Sequence, residues 1–175
     1  MMSGNSGAQT GVGKGMSKKE RLQYLEMLFE TSQKMGSLDT LDAVFDALVK
    51  VAVKETDADR GTLFLHDDDT QELYSRIAQG ISSHEIRIMD TDGIAGAVFQ
   101  SGISEIVHAP YDDHRFNRDV DAETGYLTKS ILCTTVRNAK DKVIGILEVL
   151  NKKNGQFNEV DVFLLEGLAS QSAVT

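Results

Sequence analysis

The chain has 175 residues, 41% of them hydrophobic, which is enough for one globular domain with extensions. Its formal net charge of −9 argues against a nucleic acid polymer or an anionic membrane as partner, because both attract clustered Lys and Arg. The single cysteine excludes an intrachain disulfide and a multi-cysteine metal site. Because the sequence has no long apolar run and no signal peptide, a cytoplasmic protein is the simplest expectation.

Two helices are predicted near the start of the chain. Residues 1–16 are rich in Gly and Ser, and we expect a disordered tail or an expression scar there. The capping box Ser17-Lys-Lys-Glu20 predicts the start of the first helix, and Gly36 its end. A second helix is predicted from Asp39 to Thr56. The apolar residues of the first helix are Leu22, Leu25, Leu28, Phe29 and Met35.

Six short strands are predicted after Thr56, with further helices at Ile94–Gln100 and from Asn158 onwards. This order indicates an α+β fold, in which N- and C-terminal helices pack on one face of a six-stranded, mostly antiparallel sheet. The predicted strands are Thr62–His66, Glu72–Gln79, Glu85–Met89, Glu105–His108, Ser130–Arg137 and Val143–Leu150.

A polar, acid-rich loop runs from Asp112 to Ile131, far longer than the usual connection of about 4–6 residues. Three aromatic residues could anchor it, namely Tyr111, Phe116 and Tyr126, which favours an ordered lid over a flexible linker. Four polar residues of this loop are spaced by roughly one helical turn, and they could line a ligand site or cap a helix: Asn117, Asp121, Thr124 and Thr128.

Two local features suggest a small-molecule site, and each has a structural alternative. Gly93-Ile94-Ala95-Gly96 opens a helix, where N–H groups without helical partners suit a phosphate. A tight turn with close helix packing is the simpler interpretation of this tetrapeptide taken alone. Glu148 lies in an otherwise apolar strand, so it either lines a pocket or forms a salt bridge at a sheet edge.

No catalytic or metal-binding arrangement is evident. The histidines lack the spacing of metal ligands, and Cys133 lies in an apolar strand, where we expect a buried, unreactive thiol. We therefore expect a domain that is not an enzyme, with no metal and no cofactor. The four histidines are His66, His84, His108 and His114.

Several blocks of the sequence, in the same order, resemble a GAF domain of the cyclic-nucleotide-binding type, as found in phosphodiesterases and bacterial adenylyl cyclases. The resemblance covers about residues 20–175, and we take 17–175 as the domain. It implies a ligand pocket under a lid, on the sheet face opposite the terminal helices. The matching blocks are Ala58–Leu65, Glu85–Arg87, Gly93–Gly96, Phe116–Asn117, Val120–Thr128, Ser130–Cys133 and Asn151–Lys152.

The family signature at the end of the sheet is matched by Asn151, Lys152, Phe157 and Asp161, with Val162 in place of its glutamate. The resemblance implies that this motif is structural and acts through a Lys–Asp pair behind the site.

The resemblance also implies which residues contact the nucleotide. Backbone N–H groups of Ile94 and Ala95 would bind the cyclic phosphate, and Asn117 would close over it. Side chains implied to lie near the base or the sugar are Arg60, Thr62, Asp121, Thr124, Tyr126, Thr128 and Glu148.

We expect cAMP to be preferred over cGMP. Relatives that prefer cGMP read guanine with an aromatic–acid pair at the end of the second strand. This chain has Ala78 and Gln79 there, and neither offers a carboxylate to the N1–H and amine of guanine.

The main hypothesis is a regulatory module that binds cAMP or cGMP and signals to an attached output domain. We expect it to form a homodimer through its terminal helices, with a seam from Leu22, Leu25, Leu28 and Phe29. The alternative is a structural dimerisation module that has lost its ligand, which the departure at Val162 favours.

Overall fold

The computed structural model describes residues 15–79 and 85–171. Residues 1–14 of the expected tail therefore lie outside the described residues. His84 and residues 172–175 lie outside them as well. Met16, which was assigned to the tail, is buried. The helices are α1 (Lys18–Gly36), α2 (Leu41–Glu55), α3 (Gly93–Ser101), α4 (Arg118–Thr124) and α5 (Glu159–Gln171), with a 3-10 helix at Pro110–Asp112.

Six strands form one antiparallel sheet in the order β3-β2-β1-β6-β5-β4, which confirms the predicted α+β fold. In the centre of the sheet, Thr62 lies opposite Ala78 on one side and Glu148 on the other. This register decides which side chains face the site. The strands are β1 (Ala58–Asp67), β2 (Glu72–Ala78), β3 (Arg87–Met89), β4 (Glu105–Val107), β5 (Ile131–Arg137) and β6 (Val143–Lys152).

Helices α1, α2 and α5 cover one face of this sheet. The capping box is present, because Ser17 Oγ accepts from Glu20 N (3.1 Å) and Glu20 Oε2 accepts from Ser17 N (2.6 Å). Helix α1 packs on α5 through Tyr24 and Phe163, whose ring centroids are 4.5 Å apart. The main core lies between these helices and the sheet, and includes Phe45, Leu48, Val49, Leu63, Leu132, Leu147, Val149, Leu165 and Leu168.

Helices α3 and α4 lie on the opposite face. A second, smaller core there joins α3 to the strands through Ile94, Val98, Phe64 and Ile146. Alternate residues of the central strands thus serve two layers, since neighbouring side chains of a strand point to opposite faces.

The structure corrects three details of the prediction. The first strand is longer than Thr62–His66, since it extends from Ala58 to Asp67. The lid is not irregular loop, because it contains the 3-10 helix and α4. Leu28 does not share the outer face of α1 but packs against the main core.

Candidate functional site

The start of α3 presents unused N–H groups to a cavity on the second face. Gly93 has φ +69°, and a Cβ on Gly96 would lie 2.6 Å from the Thr91 carbonyl carbon, so both glycines serve the turn and close packing. Asp92 at the N-cap makes no side-chain capping bond. The N–H groups of Ile94 and Ala95 have no acceptor within the helix, since they lie in its first turn, and both residues line the cavity.

The lid folds over this cavity and is held together by Asp121, which is buried. One oxygen of its carboxylate accepts from the Thr128 hydroxyl (2.7 Å), and the other accepts from Thr128 N (2.8 Å) and the Tyr111 hydroxyl (2.7 Å). Asn117 caps α4 by accepting from Asp119 N (3.0 Å). Asn117, Asp121 and Thr128, which were predicted to contact the ligand, therefore all form hydrogen bonds within the lid.

Asn151 fixes the root of the lid to the end of β6. Its Oδ1 accepts from Lys129 N (2.6 Å) and Ser130 N (3.1 Å), and its Nδ2 donates to Leu127 O (2.8 Å). The residue adopts φ +57°, a conformation in which asparagine is enriched among non-glycine residues. The side chain thereby sets where the lid ends and β5 begins.

Glu148 faces the cavity from β6, and no described residue donates a hydrogen bond to its carboxyl. The side chain is half-buried and forms part of the cavity wall. Burial, and to a smaller extent the nearby Asp121 carboxylate, raise the pKa of Glu148 to about 7. An unpaired carboxyl in such a place is costly unless something else supplies donors.

Three further side chains form one end of the cavity. The Arg60 guanidinium lies 4.0 Å from the centre of the Tyr126 ring, and the Tyr126 hydroxyl donates to Asp59 (2.8 Å). Gln79 Oε1 accepts from Gly61 N (3.1 Å). Because a backbone N–H can only donate, this bond fixes the orientation of the Gln79 amide and leaves its NH₂ group as the donor for other partners.

The structure brings together eleven of the twelve predicted ligand-binding residues. The exception is Ala78, which pairs with Thr62 at the end of β2 but is not part of the cavity wall. The cavity is lined by the predicted residues Arg60, Thr62, Gln79, Ile94, Ala95, Asn117, Asp121, Thr124, Tyr126, Thr128 and Glu148.

Sequence reasoning missed the apolar part of the wall, since such residues have the pattern of ordinary core positions. The one available signal was alternation along the strands, which places Leu150 on the same face as Glu148. Gly93, at the helix start that the sequence indicated, lines the cavity too. The missed lining residues are Phe64, Ile86, Ile88, Phe116, Val120, Ile131 and Leu150.

The cavity is small. It measures about 90 Å³, which is room for several water molecules at roughly 10–15 Å³ each. Pockets for small molecules usually measure about 300–1,000 Å³. A ligand of nucleotide size therefore requires the cavity to widen, as it would if the lid moved outward.

The predicted Lys–Asp pair is present on the helix side of the sheet. Lys152 Nζ lies 2.9 Å from Asp161 Oδ2 and donates to Thr56 O (3.0 Å). Val162 packs against the main core, so its substitution for glutamate leaves this pair intact. Cys133 is fully buried, and burial raises the pKa of its thiol well above the ordinary range, as an unreactive cysteine requires.

The sequence matches the family model of the GAF domain over residues 40–175. It is 38% identical over 134 residues to "Probable 3',5'-cyclic phosphodiesterase pde-5" of Caenorhabditis elegans, covering 70% of this chain and 18% of the relative. It is 31% identical to "Dual 3',5'-cyclic-AMP and -GMP phosphodiesterase 11" of Drosophila melanogaster, covering 81% of this chain and 11% of the relative. The chain thus spans less than a fifth of the length of these relatives.

The fold is also similar to that of solved structures. The GAF domain from Acinetobacter phosphoenolpyruvate-protein phosphotransferase superposes with a TM-score of 0.74 at 22% identity, covering 90% of this chain and 92% of that one. Among the helices of residues 15–79 and 85–171, none has the length and apolar character needed to cross a membrane.

Proposed function

The chain belongs to the GAF domain family, and we propose that it is a regulatory module that binds a cyclic nucleotide and prefers cAMP to cGMP. The supporting observation is that unused donors and an unused acceptor share one cavity. The uncapped start of α3 offers N–H groups, and Glu148 offers a carboxyl without a described donor. A cyclic nucleotide complements both, because its phosphate accepts hydrogen bonds and its ribose hydroxyl donates one.

Gln79 supports the preference for cAMP. With its oxygen bonded to Gly61 N–H, the side chain offers its NH₂ group to a base. Adenine has an acceptor at N1, whereas guanine has a donor there, so only adenine satisfies this amide at that atom. Replacement by glutamate turns the donor into an acceptor, and Gln79→Glu should shift the preference towards cGMP.

Lys152 supports a coupling between the cavity and the terminal helices. It lies at the end of β6, the strand that carries Glu148, and its ammonium group contacts the end of α2 and the start of α5. A change in the lid and in β6 can therefore bias the terminal helices, and through them an attached output domain. Since the phosphodiesterase relatives are much longer, we propose that the chain is the sensor part of such an enzyme and is not catalytic itself.

Calorimetric titration of the purified domain with cAMP and with cGMP tests this function. We expect tighter binding of cAMP, and weaker binding in Glu148→Ala than in the matched surface control Glu30→Ala. Glu30 is exposed on α1 and is remote from the cavity wall. Absence of both heat and thermal stabilisation at millimolar nucleotide would refute the proposal.

A second candidate function is dimerisation, which the outer face of α1 favours. Leu22, Leu25 and Phe29 are 58–64% exposed at helical spacing, and exposed apolar patches of this kind often mark interfaces. Leu28 is not part of this face. We expect Leu25→Glu to convert a dimer to a monomer in sedimentation velocity. The control Leu41→Glu, at an exposed position at the start of α2, should not. A wild-type monomer at high micromolar concentration would refute dimerisation without bearing on nucleotide binding.

A further inference from the structure

The C-terminal end of the lid is tied to β1 through Tyr126. Its hydroxyl donates to Asp59 (2.8 Å), and the Arg60 guanidinium lies over its ring at 4.0 Å from the centroid. Burial raises the pKa of Tyr126, and the hydrogen bond to Asp59 raises it further. Two residues adjacent in β1 thus hold the same aromatic side chain by its hydroxyl and by its face.

The position of Tyr126 places this contact at the boundary between the lid and the sheet. Helix α4 ends at Gly125, which has φ +72°, and Tyr126 is the next residue. Arg60 and Tyr126 both line the cavity, so their contact closes one end of it.

Two sets of hydrogen bonds in the lid do not need to break when α4 lifts. Asp121 bonds Tyr111 and Thr128, which belong to the lid itself and can move with it. Asn151 holds the root of the lid, where the chain enters β5. The contact of Tyr126 differs from these, because it joins the segment that directly follows α4 to β1, a central strand of the sheet. Arg115, which precedes α4, also pairs with Glu105 of β4 at the other end of the lid.

We infer that the Tyr126–Asp59 hydrogen bond, backed by Arg60, is a latch that controls access to the cavity. Only the identity of the ligand rests on the proposed function. With a volume of about 90 Å³, the cavity in this form admits no nucleotide, so entry and release both pass through a more open form. Weakening the latch raises the population of the open form and therefore both rates, and it changes affinity little because the latch also closes over bound ligand.

The test measures association and dissociation of a fluorescent cAMP analogue by stopped flow. In Tyr126→Phe, which keeps the ring and removes the hydroxyl, we expect both rate constants to rise about three- to tenfold, with Kd within about twofold of wild type. Asp59→Ala should have the same effect, and the double variant should add little, because both changes break one hydrogen bond. A residue that only contacts the ligand would instead raise the dissociation rate alone.

Tyr74→Phe is the matched control. Tyr74 also lies beneath an arginine, since Arg87 is 5.1 Å from its ring centroid, but it is on β2 and does not line the cavity. We expect its rate constants to equal those of wild type.

Hydrogen exchange of the free domain tests the latch without any ligand. Ile94 and Ala95 are buried, and their amides have no acceptor within α3. The cover of the lid is therefore what slows their exchange, which should become faster when the cavity opens. We expect their exchange in Tyr126→Phe to be about three- to tenfold faster than in wild type and in Tyr74→Phe. If the wild type bound no nucleotide, the proposed function would be wrong. The exchange comparison would still test whether Tyr126 controls opening of the cavity. Unchanged exchange in Tyr126→Phe would overturn the latch.

Discussion

Replacing Glu148 by glutamine should stabilise the domain in a pH-dependent manner. The ordinary pKa of the carboxyl is 4.5, and burial raises it to about 7 in the folded protein. At a pH between these two values, Glu148 keeps its proton in the folded state and has lost it in the unfolded state. Stability of the wild type must therefore fall as pH rises through this interval, and it stays low above pH 7.

The magnitude follows from the size of the interval. Each pH unit between the two pKa values corresponds to about 1.4 kcal/mol, so the full interval of 4.5 to about 7 is worth about 3–4 kcal/mol. At pH 5 the wild type has lost only a small part of this, whereas at pH 8 it has lost nearly all. Glutamine is neutral and close in shape to the protonated acid, so the advantage of Glu148→Gln should grow by about 2–3 kcal/mol from pH 5 to pH 8.

Urea unfolding followed by circular dichroism at pH 5, 6, 7 and 8 measures this difference directly. Glu30→Gln is the matched control for the loss of a carboxylate, because Glu30 is exposed on α1 and is not part of the cavity wall. If the stability difference between Glu148→Gln and wild type were the same at pH 5 and pH 8, the carboxyl would not be held in an unfavourable place, and the reasoning would fail.

Three other perturbations test the surrounding structure. Lys152→Met should lower the free energy of unfolding by about 3–5 kcal/mol, because it leaves the buried Asp161 carboxylate without its cation. Adding Asp161→Asn should recover part of the lost thermal stability, and no recovery would contradict the pairing. Gly96→Ala should lower Tm and weaken nucleotide binding, since its Cβ would lie 2.6 Å from the Thr91 carbonyl carbon; a wild-type Tm would show that α3 has more room than described. Cys133, which is fully buried with a raised thiol pKa, should react with a thiol reagent only after unfolding, and rapid labelling of the native domain would be inconsistent with this burial.

Local sequence signals were sufficient for much of the fold. The capping box at Ser17 and the apolar periodicity of α2 depend on neighbours within a few residues, and both predicted helices are present. The extent of β1 was underestimated because Ala58, Asp59 and Arg60 have weak strand propensity. Their extended conformation comes from pairing with Leu150 and Lys152 of β6, which is a contact between distant parts of the chain.

The sequence predicts the polar residues of the site but not the hydrogen bonds that they form. Asp121 and Thr128 stand out in the sequence as groups able to bind a ligand, yet they bond to each other. Such a pairing depends on how α4 turns back, which spacing alone does not reveal. For Gln79 the sequence gives an amide, and only the contact with Gly61 determines which end of it is free.

The alternation along β6 has a consequence for changes in chain length. Leu147 and Val149 belong to the main core, while Glu148 and Leu150 line the cavity. Inserting or deleting one residue in this strand would exchange the two sets, placing the carboxylate among the helices and leucine in the cavity. Gly145 also resists slippage, since a side chain there would strike the carbonyl oxygen of Phe64. Length variation should therefore be confined to the exposed turn between β5 and β6 at residues 138–142, which is where a tag or reporter can be inserted without moving either layer.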